Sequence, residues 1–127
     1  MKKYVLIVCI VNQGFADDVM SVARDCNARG GTIINARGTA RAEAEAMFNI
    51  TITPEKEIIF ILATEKIKSD ILHAIYQKCG LNTAGQGIAF TLPVEDVVGL
   101  MAKKNTLKNA ESLEEDDEDS IKIYKES

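Results

Sequence analysis

The stretch that most limits how this 127-residue chain can fold is Tyr4–Val11, eight consecutive apolar residues rich in valine and isoleucine. A strand with one wet face alternates apolar and polar side chains, so an unbroken run reads as a strand covered on both faces. Ile58–Ala63 has the same character. Between and after these runs the period changes. Phe15, Val19, Val22, Ala23 and Cys26 fall at helical spacing, with Asp17 and Asp18 in the first turn, where the helix dipole favours acids. Gly30-Gly31 is the expected stop of that helix. Ile67, Ile71, Ala74, Ile75 and Lys78 trace the inner stripe of a second helix, with Thr64 as its N-cap and Gly80 as its end. Thr32–Ala36 and Ile88–Leu92 read as two further strands, and Val94–Leu100 as a short last turn.

The order is β-α-β, a long loop, then β-α-β. That is the α+β, ferredoxin-like βαββαβ plan, a four-stranded antiparallel sheet with both helices on one face. The two unbroken strands then need a cover on the sheet's other face, and the chain has no element left to supply it. A homo-oligomer whose sheets share a core is therefore expected.

Two segments carry the chemistry of small anions. In Leu81–Gly87, Gly85 and Gly87 flank Gln86, so a turn there can line up backbone N–H groups as a concave nest. The connection between the second and third strands exceeds the roughly 12 residues usual in a compact domain, which marks it as functional or disordered. It leaves its strand through Arg37-Gly38-Thr39 and carries Arg41, two guanidinium groups suited to a phosphate or carboxylate.

Composition excludes several classes. Apolar residues make up 46% and charged residues 27%, ordinary for a globular chain, and no apolar run approaches the roughly 20 residues that span a bilayer. Met1-Lys2-Lys3 before an apolar run imitates a secretion signal, but the small-residue cleavage site is missing, so a cytoplasmic protein without membrane insertion is expected. The net charge of −4 is uneven: residues 105–127 hold eight acidic and three basic side chains, leaving a nearly neutral body with an acidic tail. No basic footprint for nucleic acid exists. Cys9, Cys26 and Cys79 form no C-x-x-C pair, and His73 is the single histidine, which argues against a disulfide framework and a metal site.

Over roughly residues 2–100 the chain resembles the nitrogen-regulatory PII signal-transduction family, in particular its PII-like branch. The resemblance rests on Gly31-Thr32 entering strand two, Arg37-Gly38-Thr39 with Arg41 at the root of the long loop, Gly85-Gln86-Gly87-Ile88-Ala89-Phe90 running into Pro93-Val94-Glu95-Asp96, and Gly14–Asp17. It implies a cytoplasmic homotrimer that binds an adenine nucleotide between subunits and is a regulator, not an enzyme. By position, Thr32, Arg37, Gly38, Thr39 and Arg41 would hold the base and loop root. Gly85, Gln86, Gly87 and Ile88 would cradle the phosphates. The loop at 38–49 would control a transporter or metabolic enzyme. Classical members of the family carry a lysine where Ile88 stands and two arginines where Gly99 and Met101 stand. Each lost cation removes a contact of roughly 1.5–3 kcal/mol, which favours AMP or ADP over ATP. Residues 1–104 then form the domain and 105–127 an appended tail. Two other readings of the fold remain: a small phosphate-handling enzyme of acylphosphatase type, with Asn12-Gln13-Gly14 as its phosphate loop, and a metal-responsive trimer of the CutA type, for which ligands are lacking.

Overall fold

The computed structural model describes residues 3–39, 54–83 and 85–100. Its elements are β1 (Tyr4–Asn12), α1 (Ala16–Asp25), β2 (Thr32–Arg37), β3 (Glu55–Thr64), α2 (Glu65–Lys78) and β4 (Gly87–Val94). The four strands make one sheet in the order β2-β3-β1-β4. β2 runs antiparallel to β3, pairing Thr32 with Phe60, Ile34 with Ile58 and Arg37 with Glu55. This is the ferredoxin-like α+β architecture. Val5–Pro93 forms one compact unit.

The core lies between one sheet face and the two helices. Val5, Ile7, Cys9 and Val11 of β1 and Ile59, Ile61 and Ala63 of β3 point into it at every second position, as strand geometry requires. They meet Val19, Met20 and Ala23 of α1 and Ile71 and Ile75 of α2. Gly31 sits where β2 begins, and a Cβ there would lie 2.7 Å from the Met20 sulfur and 2.8 Å from the Phe60 carbonyl oxygen. The close approach of α1 to β3 at this point leaves room only for hydrogen.

The other pleat of the sheet is apolar too. Val8 is buried, while Leu6, Ile10, Ile58, Phe60 and Leu62 are half-buried. Toward the sheet edges, Ile34 is 39% exposed on β2, and Ile88, Phe90 and Leu92 are 57%, 41% and 49% exposed on β4. The missing alternation in β1 and β3 thus corresponds to a sheet whose second face is oily across all four strands.

Several details differ from expectation. α1 stops at Asp25, earlier than Gly30-Gly31, because Asn27 adopts φ +76° and its N–H bonds the Arg24 carbonyl at 2.9 Å, while the Ala28 N–H reaches Ala23 at 3.0 Å. Asparagine tolerates this left-handed turn and ends a helix as glycine does. Phe15 is the N-cap and is exposed, so Met20 takes the inner position assigned to it. Lys78 is exposed in the last turn of α2, where its charge suits the helix dipole. Thr64 is the N-cap of α2 but makes no side-chain capping bond. β4 continues through Pro93, tolerated on an edge strand, where the absent N–H breaks no interior ladder.

Candidate functional site

The long loop leaves and re-enters the sheet at one closed point. The Gly38 N–H donates to the Pro54 carbonyl at 2.6 Å, directly beyond the Arg37–Glu55 pair that ends the β2–β3 ladder. Arg37 and Thr39 are exposed beside it. Arg41 and the rest of the loop to residue 49 lie outside the described residues. The turn after β1 is fixed to the same point, since the Gln13 N–H donates to the Glu55 carbonyl at 3.2 Å. Oε1 of Glu57 accepts from the N–H groups of Gly14 at 2.8 Å and Ala16 at 3.2 Å. A carboxylate from β3 therefore satisfies donors at the N-terminus of α1 that its N-cap side chain, a phenyl ring, cannot.

That carboxylate bears on the acylphosphatase reading. A phosphate loop at Asn12-Gln13-Gly14 needs those N–H groups free and a positive field. Here an acid already holds the Gly14 N–H, and the loop contains no arginine. The segment is built as a structural joint.

The glycine loop consists of two consecutive tight turns. The Thr83 N–H bonds the Gly80 carbonyl at 2.9 Å, and the Gln86 N–H bonds that of Thr83 at 3.3 Å. Gly85 follows with φ +83°, which a side chain would oppose. Gly87 starts β4 at φ +154°, and a Cβ there would stand 2.7 Å from the Ile10 carbonyl oxygen and 3.1 Å from Val11 Cγ1. Backbone pressed against backbone makes glycine obligatory at this position. Gln86 and Gly87 are half-buried and Ile88 is exposed. A cleft of about 370 Å³ opens on this segment, lined by Leu72, Tyr76, Leu81, Gly87, Ile88 and Ala89.

The glycine loop and the loop root lie at one end of the sheet and are linked by two side chains, Lys56, which sequence reasoning does not single out, and Asn12, which it reads only as part of a phosphate loop. Lys56 Nζ donates to Asn12 Oδ1 at 2.5 Å, and Asn12 Nδ2 makes a long contact of 3.4 Å to the Gly85 carbonyl. The aliphatic stem of Lys56 covers Gly38, where a Cβ would be 3.0 Å from Cε. The available signal was a polar residue, Asn12, closing an otherwise apolar strand. Thr32 does not join this cluster within the chain. It begins β2 whereas Arg37 ends it, a separation of about 17 Å at 3.3 Å per residue.

The cysteines are free thiols. Burial first, and the nearby Cys79 second, push Cys9 up to about 12. Cys79 is also raised, by its own burial and then by Asp18. Neither is an activated nucleophile. Among the described residues no three acidic, cysteine or histidine side chains gather as metal ligands, and no helix is long and apolar enough to cross a membrane.

The described residues thus form a ferredoxin-like subunit with a long connection between its second and third strands and a glycine loop at the same end of the sheet. A profile of the nitrogen regulatory protein P-II family matches residues 4–104, and the chain is a member of that family. Two solved structures share the fold. Arabidopsis thaliana PII bound to citrate matches with a TM-score of 0.60 and 21% identity, over 77% of this chain and 81% of that one. A protein from Thermus thermophilus described as PII-like and signalling matches with a TM-score of 0.56 and 15% identity, over 73% and 87%. No curated protein sequence matched.

Proposed function

We propose that this chain is a PII-type signalling subunit that senses an adenine nucleotide, AMP or ADP in preference to ATP, and reports it through the loop at 38–49 to a transporter or metabolic enzyme. The observation that carries the reading is the convergence of Gly85–Ile88 and Arg37–Thr39 on one end of the sheet, with Asn12 and Lys56 between them. The cations Arg37 and Lys56 there suit an anionic group, and the connected root gives that group leverage on the loop. Arg41 belongs to the same set, by its position in the loop. Thr32, remote within one chain, takes part only across a subunit boundary. The oily second sheet face supports a homotrimer with the clefts at its seams, since exposed apolar faces of this extent mark interaction surfaces. Residues 1–104 form the sensing domain, and the acidic segment 105–127 is an appendage.

Titration calorimetry with AMP, ADP and ATP tests the nucleotide. Binding in the micromolar range, ordered with ADP or AMP ahead of ATP, is the expected result. Heat from none of them at protein concentrations above about 100 μM, on the order of ten times such a Kd, removes the nucleotide reading and leaves another small anion as effector.

A further inference from the structure

We propose that Lys56 is a further cation of this site, beside Arg37: it receives the ligand's phosphate oxyanion, and Asn12 is the neutral holder that positions it in the free protein. The inference rests on the reading of an anion-sensing site above and adds the residue that reads the charge.

Lys56 is the second residue of β3, opposite Ala36 of β2, on the same pleat as Ile58. Its stem crosses Gly38 at the loop root, and its ammonium ends at Asn12, whose amide touches Gly85. Two side chains in series, Lys56 and then Asn12, thus link the root of the long loop to the glycine loop.

Lys56 is half-buried, and among the described residues its ammonium is bonded to the carbonyl oxygen of an amide, with no carboxylate on it. The neighbouring acid whose place is fixed, Glu57, projects from the opposite pleat and is engaged by Gly14 and Ala16. A partly desolvated charge facing a neutral acceptor is under-compensated, and an ammonium has three protons to donate. An arriving oxyanion completes the pairing. Ile88, the residue following the two glycines, brings no charge of its own, and Lys56 of β3 is a cation joined to this segment through Asn12. Movement of Lys56 toward the anion also shifts the stem that lies over Gly38, which places the loop root within reach of the same event.

The test uses the full chain, with ADP, adenosine and inorganic pyrophosphate as calorimetric titrants. Lys56→Met keeps the stem and removes the charge, and is expected to weaken ADP about ten- to a hundredfold while leaving adenosine within a few-fold. Lys56→Arg should recover most of the loss. Asn12→Asp leaves the lysine in place but supplies a competing carboxylate, and should weaken ADP about tenfold even if Lys56→Met proves too unstable to titrate. If Lys56→Met or Asn12→Asp binds ADP as the parent does, the assignment of Lys56 is overturned and the nucleotide reading stands. If the parent binds pyrophosphate but no nucleotide, and Lys56→Met loses pyrophosphate, the nucleotide reading falls and Lys56 stands. If the parent binds neither, both fall.

Discussion

At the scale of single residues, burial sets the chemistry. Cys9 has no exposed surface, and desolvation holds its proton to about pH 12. Below pH 9 the thiol is protonated in folded and unfolded chains alike. Between pH 9 and about 12 the unfolded chain releases that proton and the folded chain retains it, so stability falls as pH rises through this window. Cys79, also raised, adds in the same direction. Thermal melts from about pH 8 to 11 should show Tm dropping above pH 9, with a shallower drop in Cys9→Ala. An equal slope in both proteins would mean that the thiol is not what titrates. The same physics explains why Cys9 was legible as a buried small hydrophobe, while Gly87 was legible only as a turn. The contact with the Ile10 carbonyl that demands glycine there comes from a strand almost eighty residues away.

At the scale of elements, the joints matter more than the helices and strands themselves. α1 has acidic residues in its first turn but a phenylalanine as N-cap, and the missing acceptor is supplied from β3 by Glu57. Replacing Glu57 with alanine leaves two N–H groups without that partner, a cost of about 1–2 kcal/mol by analogy with lost helix caps. Tm should fall by roughly 4–10 °C for a domain of about 100 residues. Hydrogen exchange should rise first at Gly14–Val19. A loss spread evenly over the sheet would contradict a local cap. The helices were readable because an inner stripe repeats every three or four residues, and both were found at the expected places. Their ends were less readable. Asn27 ends α1 through a left-handed conformation that asparagine enters only when the local bonds reward it.

At the scale of the whole molecule, the proposed trimer rests on the apolar second sheet face. Leu92 is 49% exposed in one chain, and a surface change at such a position ordinarily alters stability by no more than about 0.5 kcal/mol. If three sheets close on one another, Leu92→Glu instead buries an unpaired charge and should dissociate the trimer. Sedimentation equilibrium should then move from about three chain masses toward the 13.9 kDa of one. A parent protein that already sediments at one mass would remove the shared core, and with it the seams proposed to hold the ligand.

The sequence by itself determined the element order, the ferredoxin-like class, the double-sided apolar strands and the places of the glycine loop and the long inter-strand connection. These follow from residue spacing along the chain, because strand and helix periods are local and repeat within a few residues. Only the tertiary structure decided that Lys56 and Asn12 link those segments, and that Glu57 occupies the turn a phosphate would have needed. It also decided that Thr32 stands apart from Arg37. Each of these depends on which residues of β3 fall beside which residues of β1 and β2, across separations of about forty positions for Lys56 and Glu57. The hydrophobic pattern constrains which face of each strand turns inward, but which residue of β3 lands beside which residue of β1 and β2 is settled only when the strands pair.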